Sequence, residues 1–323
     1  MKEEQKKNLT FLEELREYTL DSKMLCAQMF SSRIVGVDGI SIESITKYTD
    51  MITPSEIEVF TLFSILYDDE SANKIMNHKA FSKFIIGIRN YWSPKFCSYT
   101  SKQSLATDLF MIMALQQFSV QGSFLFKLFR YNYFFTYISD KINMTKVFKE
   151  KFEVKYKEYA IFAYVLYAFT SLEFQNRNGI KFCAKIVELA LQNKVVRGHL
   201  TIKKDDYVKE LSEFYRGEVE DYFYGIKLQY LYPLIETSKA IYIPSPYLVV
   251  NAVTESLFNR LTEGNNVLRS TIGKEVIESY LFDIYGAVTS VSWKSKEISY
   301  NDGHRLSPDV LISDSGYFIF FDT

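Results

Sequence analysis

Apolar residues recur at helical spacing through most of the first two hundred positions. Leu9, Leu12, Leu15 and Tyr18 fall every three residues and predict a helix over 9–19. TPSEIEVF predicts another over 53–67, with Thr53 as cap, Pro54 in the first turn, and Glu56 and Glu58 near the positive helix end. Ile75, Phe81, Phe84, Ile85 and Ile88 predict a helix over 73–92 that stops at Ser93-Pro94. Further helical patterns cover 103–118, 123–141, 155–174 and 179–194, and no fixed-period repeat emerges. KINMTKVFKEKFEVKYKEY, 141–159, alternates bases with aromatics. It reads as an amphipathic helix with a solvated lysine face; a phosphate-tracking surface is the functional alternative.

The pattern changes after residue 200. Residues 240–261 read as a short strand, a Pro-bounded turn and a helix. Gly264 to Ser270 reads as a polar connection, and 272–286 as a helix closed by Gly286. Residues 288–293 alternate as a strand does, and Asp302-Gly303 signals a turn. SPDVLISDSGYFIFFDT then reads as a hairpin about a three-residue Asp314-Ser315-Gly316 turn. That geometry brings Asp309 and Asp322 to the same end of adjacent strands. Two acids brought together repel unless a proton or a divalent cation compensates, and hard oxygen ligands suit Mg²⁺ or Mn²⁺.

Composition narrows the class. The 323 residues are 47% hydrophobic, with 27 Phe and 24 Tyr, ample for packed cores. Net charge is -1, but residues 1–200 hold 26 Lys/Arg against 21 Asp/Glu, and residues 201–323 hold 12 against 18. Any attraction for nucleic acid therefore has to come from local basic stripes in the first half. Cys26, Cys97 and Cys183 are far apart, with no CxxC pair or Cys/His cluster, which speaks against zinc and fits a reducing cytoplasm. The charged start lacks a signal-peptide core. The longest uncharged run, 109–126, contains three Gln, two Ser and a Gly, so the expectation is no membrane span. No P-loop, GxGxxG, GxSxG or HExxH pattern occurs.

The order helix-Glu, strand, Pro-Asp, strand-Asp resembles the PD-(D/E)xK nuclease superfamily, the restriction-endonuclease-like fold. Glu278 (or Glu275) stands for the helix acid, Pro308-Asp309 for the second motif, and Asp322-Thr323 for the first two positions of the third. The resemblance covers about 272–323. The apolar pattern gives a mainly α N-terminal region (1–200) and a connecting region of helix and strand (201–271), and the resemblance implies an incomplete α/β nuclease core with a short mixed sheet (272–323). It further implies metal-dependent DNA hydrolysis, in the manner of restriction or phage-defence effectors. Asp309 and Asp322 would hold Mg²⁺ or Mn²⁺, and Glu278 would assist. The implied partners are nucleic acid, DNA foremost, with a protein partner or second copy for the helical part. The motif lysine would follow Thr323, so the expectation is a piece interrupted within its core that cuts DNA poorly or not at all. The competing reading is a non-catalytic helical module, binding protein or nucleic acid, with a degenerate nuclease fold.

Overall fold

The computed structural model describes residues 12–36, 52–99, 123–214 and 227–288, and five strands between 292 and 321. In chain order the helices are α1 (Leu20–Ile34), α2 (Pro54–Leu66), α3 (His78–Tyr99), α4 (Phe124–Thr136), α5 (Met144–Phe152), α6 (Tyr156–Thr170), α7 (Leu172–Asn178), α8 (Ile180–Leu191) and α9 (Lys194–Leu200). Strand β1 (Thr201–Lys203), helix α10 (Lys204–Phe214), and strands β2 (Leu234–Glu236) and β3 (Ile241–Tyr242) follow. Next come α11 (Pro246–Asn251), α12 (Leu257–Thr262), α13 (Asn266–Thr271) and α14 (Glu278–Val288). The strands β4 (Ser292–Lys294), β5 (Glu297–Tyr300), β6 (Gly303–Leu306), β7 (Val310–Asp314) and β8 (Tyr317–Phe321) complete the order. Two π-helical segments, Ala252–Ser256 and Ile272–Ile277, join α11 to α12 and α13 to α14. The described chain is thus mostly helical, and none of its helices is long and apolar enough to cross a membrane.

The chain forms two interleaved compact units: Met1–Lys127 with Tyr159–Leu257, and Leu128–Glu158 with Phe258–Thr323. In the first unit α2 packs against α1 and α3. Phe81 stacks on Phe30 at 4.3 Å and meets Phe60 edge-on at 4.6 Å, all three fully buried. Thr53 caps α2 in a capping box: its hydroxyl accepts from Glu56 N, and Glu56 Oε2 accepts from Thr53 N at 2.8 Å. The small mixed sheet lies in this unit, with β2 central, parallel to β1 and antiparallel to β3.

In the second unit Met144, Phe148 and Phe152 recur every four residues along α5 and are buried, while Lys146, Lys149 and Lys151 face solvent. Phe135 lies 4.8 Å from Phe148 and 4.7 Å from Tyr156. The C-terminal strands form an antiparallel sheet in the order β4-β7-β8, with β5-β6 a separate hairpin. Helix α14 packs against β4 and β7.

Several boundaries differ from the sequence expectation. Of the helix expected over 9–19, residues 12–15 are helical; the chain then turns, and Tyr18 bridges Lys74. Thr19 caps a separate helix, α1, because its hydroxyl accepts from Ser22 N. Helix α3 begins at His78, where Asn77 Oδ1 takes the Ala80 N–H at 2.9 Å. Ile75 lies before it and is exposed. The helix continues through Ser93-Pro94 to Tyr99: a proline withholds one donor from the ladder without ending it. The polar connection at 264–270 is short. Gly264 takes φ +69°, and Asn265 caps α13 by accepting from Leu268 N at 2.9 Å. Gly286 does not close α14, which runs on to Val288, so the strand expected from 288 is described from Ser292. The helix expected over 103–118 lies outside the described residues.

Tyr156 carries the clearest energetic consequence. Its ring is buried and its hydroxyl finds no hydrogen-bond partner among the described residues. A buried donor without an acceptor costs about 1–3 kcal/mol. Tyr156→Phe is therefore expected to leave stability unchanged or raise it by about 1 kcal/mol in urea unfolding; a loss of comparable size would show that the hydroxyl is bonded in solution.

Candidate functional site

The acid-bearing helix of the second unit is held by a ladder of three polar contacts. Lys141 Nζ donates to Glu275 Oε1 at 2.6 Å, Tyr137 Oη pairs with Ser279 Oγ at 3.0 Å, and Tyr133 Oη donates to Asp283 Oδ2 at 2.6 Å. Each rung advances four residues on both sides, one helical turn along 275–283, while on the other side Tyr133 lies on α4 and Tyr137 and Lys141 in the segment that follows it. Ser279 also donates to the Glu275 carbonyl at 2.6 Å. Above the last rung Arg130 donates to Tyr280 Oη at 3.4 Å and lies 5.9 Å from its ring. Lys141 is held in its charged form first by its hydrogen bond to Glu275 and then by the Glu275 charge. Burial, then the bond to the Asp283 carboxylate, pushes the Tyr133 hydroxyl above its ordinary range.

Glu275 and Glu278 sit almost one turn apart on this helix. Glu275 lies in the π-helical segment and is engaged by Lys141. Glu278 opens α14 and is 9% exposed. The extra residue of a π segment rotates everything after it relative to a plain α-helix, and such segments recur at functional sites. Glu278 also contributes to keeping Lys141 charged.

The β7-β8 hairpin differs from expectation in its turn. Asp314 pairs with Tyr317, so the loop is the two residues Ser315-Gly316 rather than three. The register ends at Val310 opposite Phe321. Val310 follows Asp309 and Phe321 precedes Asp322; both aspartates lie outside the described residues. Among the described residues no group of three or more His, Cys, Asp or Glu is arranged to hold a metal ion. Of the three expected site residues, the described structure therefore places Glu278 alone.

Two charged clusters in the first unit escaped sequence reasoning. Lys23 is fully buried, 3.6 Å from Asp68 Oδ1 and donating to the Tyr67 carbonyl at 3.3 Å. Lys204 reaches the other oxygen of Asp68 at 2.7 Å. Burial pulls the Lys23 ammonium down to about 8 against the opposing pull of Asp68. Lys204 and Asp68 line a cavity of about 570 Å³ with Thr19, Asp21, Glu236 and Lys239. The second cluster is Glu58, enclosed by Tyr247, Tyr230 and Gln229. A pattern reading places both on solvated helix faces, and nothing local marks them as buried.

No family model, curated protein or solved structure matches the chain.

The ladder predicts its own test. Tyr133→Phe and Tyr137→Phe each remove one rung and are expected to cost about 1 kcal/mol in urea unfolding, Tyr133→Phe the more because its acceptor is charged. No loss in either variant would contradict the ladder.

Proposed function

We propose that the second unit carries the core of a metal-dependent nuclease, with a nucleic-acid phosphodiester, DNA foremost, as substrate. The observation that supports this reading is the β7-β8 register, Val310 opposite Phe321, in a sheet that follows directly from the helix bearing Glu278. Continued by one pair, that register would bring Asp309 across from Asp322. The donor set fits a hard divalent ion: two carboxylates from adjacent strands, with Glu278 as a third. Mg²⁺ or Mn²⁺ bound there supplies charge to a phosphate oxygen and acidifies an attacking water.

The chain's own residues divide the remaining work. Asp309 and Asp322 would hold the ion, whose charge would offset their mutual repulsion. Glu278, 9% exposed at the start of α14, would assist them from the helix side. Its burial and its place at the start of α14, next to the sheet, favour it over Glu275 as the helix acid. The ladder holds the helix that carries it.

Mn²⁺ titration of the 323-residue protein, followed by calorimetry or electron paramagnetic resonance, tests the reading. Asp309→Asn and Asp322→Asn should each weaken binding at least about tenfold, and the exposed Glu150→Gln should not. Any residual nicking of supercoiled plasmid by this protein, which lacks the motif lysine, should require Mn²⁺ and vanish in Asp309→Asn. Unchanged Mn²⁺ affinity in both aspartate variants, or metal-independent nicking, would overturn it.

A further inference from the structure

Glu58 lies midway along α2 with its side chain inside the first unit, 3% exposed. Its Oε1 is 2.9 Å from Tyr247 Oη, and Tyr230 Oη stands 3.5 and 3.4 Å from its two oxygens. Its carbonyl accepts from Gln229 Nε2 at 2.9 Å. Tyr207, fully buried on α10, lies within electrostatic reach of Glu58 and hydrogen-bonds Gln229.

The groups facing the carboxyl are therefore hydroxyls. From α10 comes Tyr207, from residues 228–231 Tyr230, and from α11 Tyr247. On the other helices packed against α2, Arg89, Lys23, Arg33 and Lys83 are engaged by other partners. Arg89 on α3 binds both oxygens of Glu56, at 2.6 and 3.0 Å, and Lys23 on α1 pairs with Asp68. Among the described residues no cation compensates a charge on Glu58. A buried ionised carboxylate without one is strongly disfavoured.

A count of protons singles out Tyr247. Its hydroxyl has one proton to give and two acceptors that carry no proton when Glu58 is ionised, Glu58 Oε1 at 2.9 Å and the Pro54 carbonyl at 3.2 Å. The Ser245 hydroxyl beside it brings its own proton. If Glu58 is ionised, one of the two oxygens goes without a full bond from Tyr247. If Glu58 is protonated, its own O–H supplies the missing donor.

We propose that Glu58 is a proton-linked switch in the first unit: protonated, it donates to the Tyr247 hydroxyl, which turns its own O–H to the Pro54 carbonyl; ionised, it accepts a hydrogen bond from the Tyr247 O–H and the tie to Pro54 is lost. The switch couples the first turn of α2 to the first turn of α11. Burial pushes the carboxyl up to about 7, against the weaker opposing pull of the Tyr247 and Tyr230 hydrogen bonds. The folded-state value lies above the ordinary 4.5, so the folded state binds the proton more tightly. The stability gained is fully present below pH 4.5 and is lost as pH rises through 7, where an uncompensated charge enters the core. Over that window the folding equilibrium should fall on the order of a hundredfold.

Carbon-13 NMR of glutamate carboxyls in the full chain tests the switch. One resonance should titrate near pH 7, two or more units above the rest. It should disappear in Glu58→Gln and move further upward in Tyr247→Phe, which removes the donor that favours the anion. In parallel, the urea midpoint of the wild type should fall between pH 5 and 8, and that of Glu58→Gln should fall less. Should Glu58→Gln fail to fold, the Tyr247→Phe shift decides. Titration of every glutamate below about pH 5, or no upward movement in Tyr247→Phe, would overturn the proposal.

Discussion

The second unit depends on how the helix carrying Glu278 is clamped. A helix end that bears acids and feeds directly into a sheet needs a fixed rotation, or the acids point wherever side-chain packing lets them. The Lys141–Glu275, Tyr137–Ser279 and Tyr133–Asp283 rungs supply that rotation at one-turn intervals. They act beside a π-helical segment, which resets the face of everything after it. Apolar contacts alone tolerate small rotations; hydrogen bonds to a carboxylate, a hydroxyl and a second carboxylate do not. α14 then packs against β4 and β7, so the geometry set at Glu275 carries through to the sheet.

The first unit handles buried charge in two contrasting ways. Around Asp68, two lysines share one carboxylate, and each charge inside has an opposite neighbour. Around Glu58 the neighbours are hydroxyls, and the least costly way to keep the carboxyl inside is to leave its proton on. The first arrangement resists a change of charge; the second invites one. Both sit on segments that pack the same helix, since Lys23 and Asp68 lie on α1 and just past the end of α2, and Glu58 lies within α2.

Much of the fold was legible where local chemistry decides it. The Thr53-Pro54 start of α2, the buried face of α5 and both C-terminal hairpins follow from capping, periodicity and turn residues. Helix α1 was not legible, because Ser22, Lys23, Ser31 and Ser32 are buried and erase the amphipathic contrast. Ser93-Pro94 and Gly286 were read as helix ends, yet tertiary context carries both helices past them. Of the candidate site, the order of acids and the strand pairing were readable from side-chain identity and turn signals. The turn length was not: Asp314 serves equally in a loop or as the last paired residue. Glu58 and Lys23 were invisible as buried groups, because their partners lie 189 and 44 residues away for Tyr247 and Tyr67.

The proposed nuclease core needs Asp309 and Asp322, the residues flanking the Val310–Phe321 pair, to hold a divalent ion next to Glu278. Crystals of the protein grown with Mn²⁺, with data collected to detect anomalous scattering from manganese, test this most directly. The account predicts one peak bonded to oxygens of both aspartates at roughly 2.0–2.3 Å, with Glu278 directed toward it through no more than one water. A manganese peak bound elsewhere, or none while the two aspartates point to opposite faces of the sheet, would contradict it.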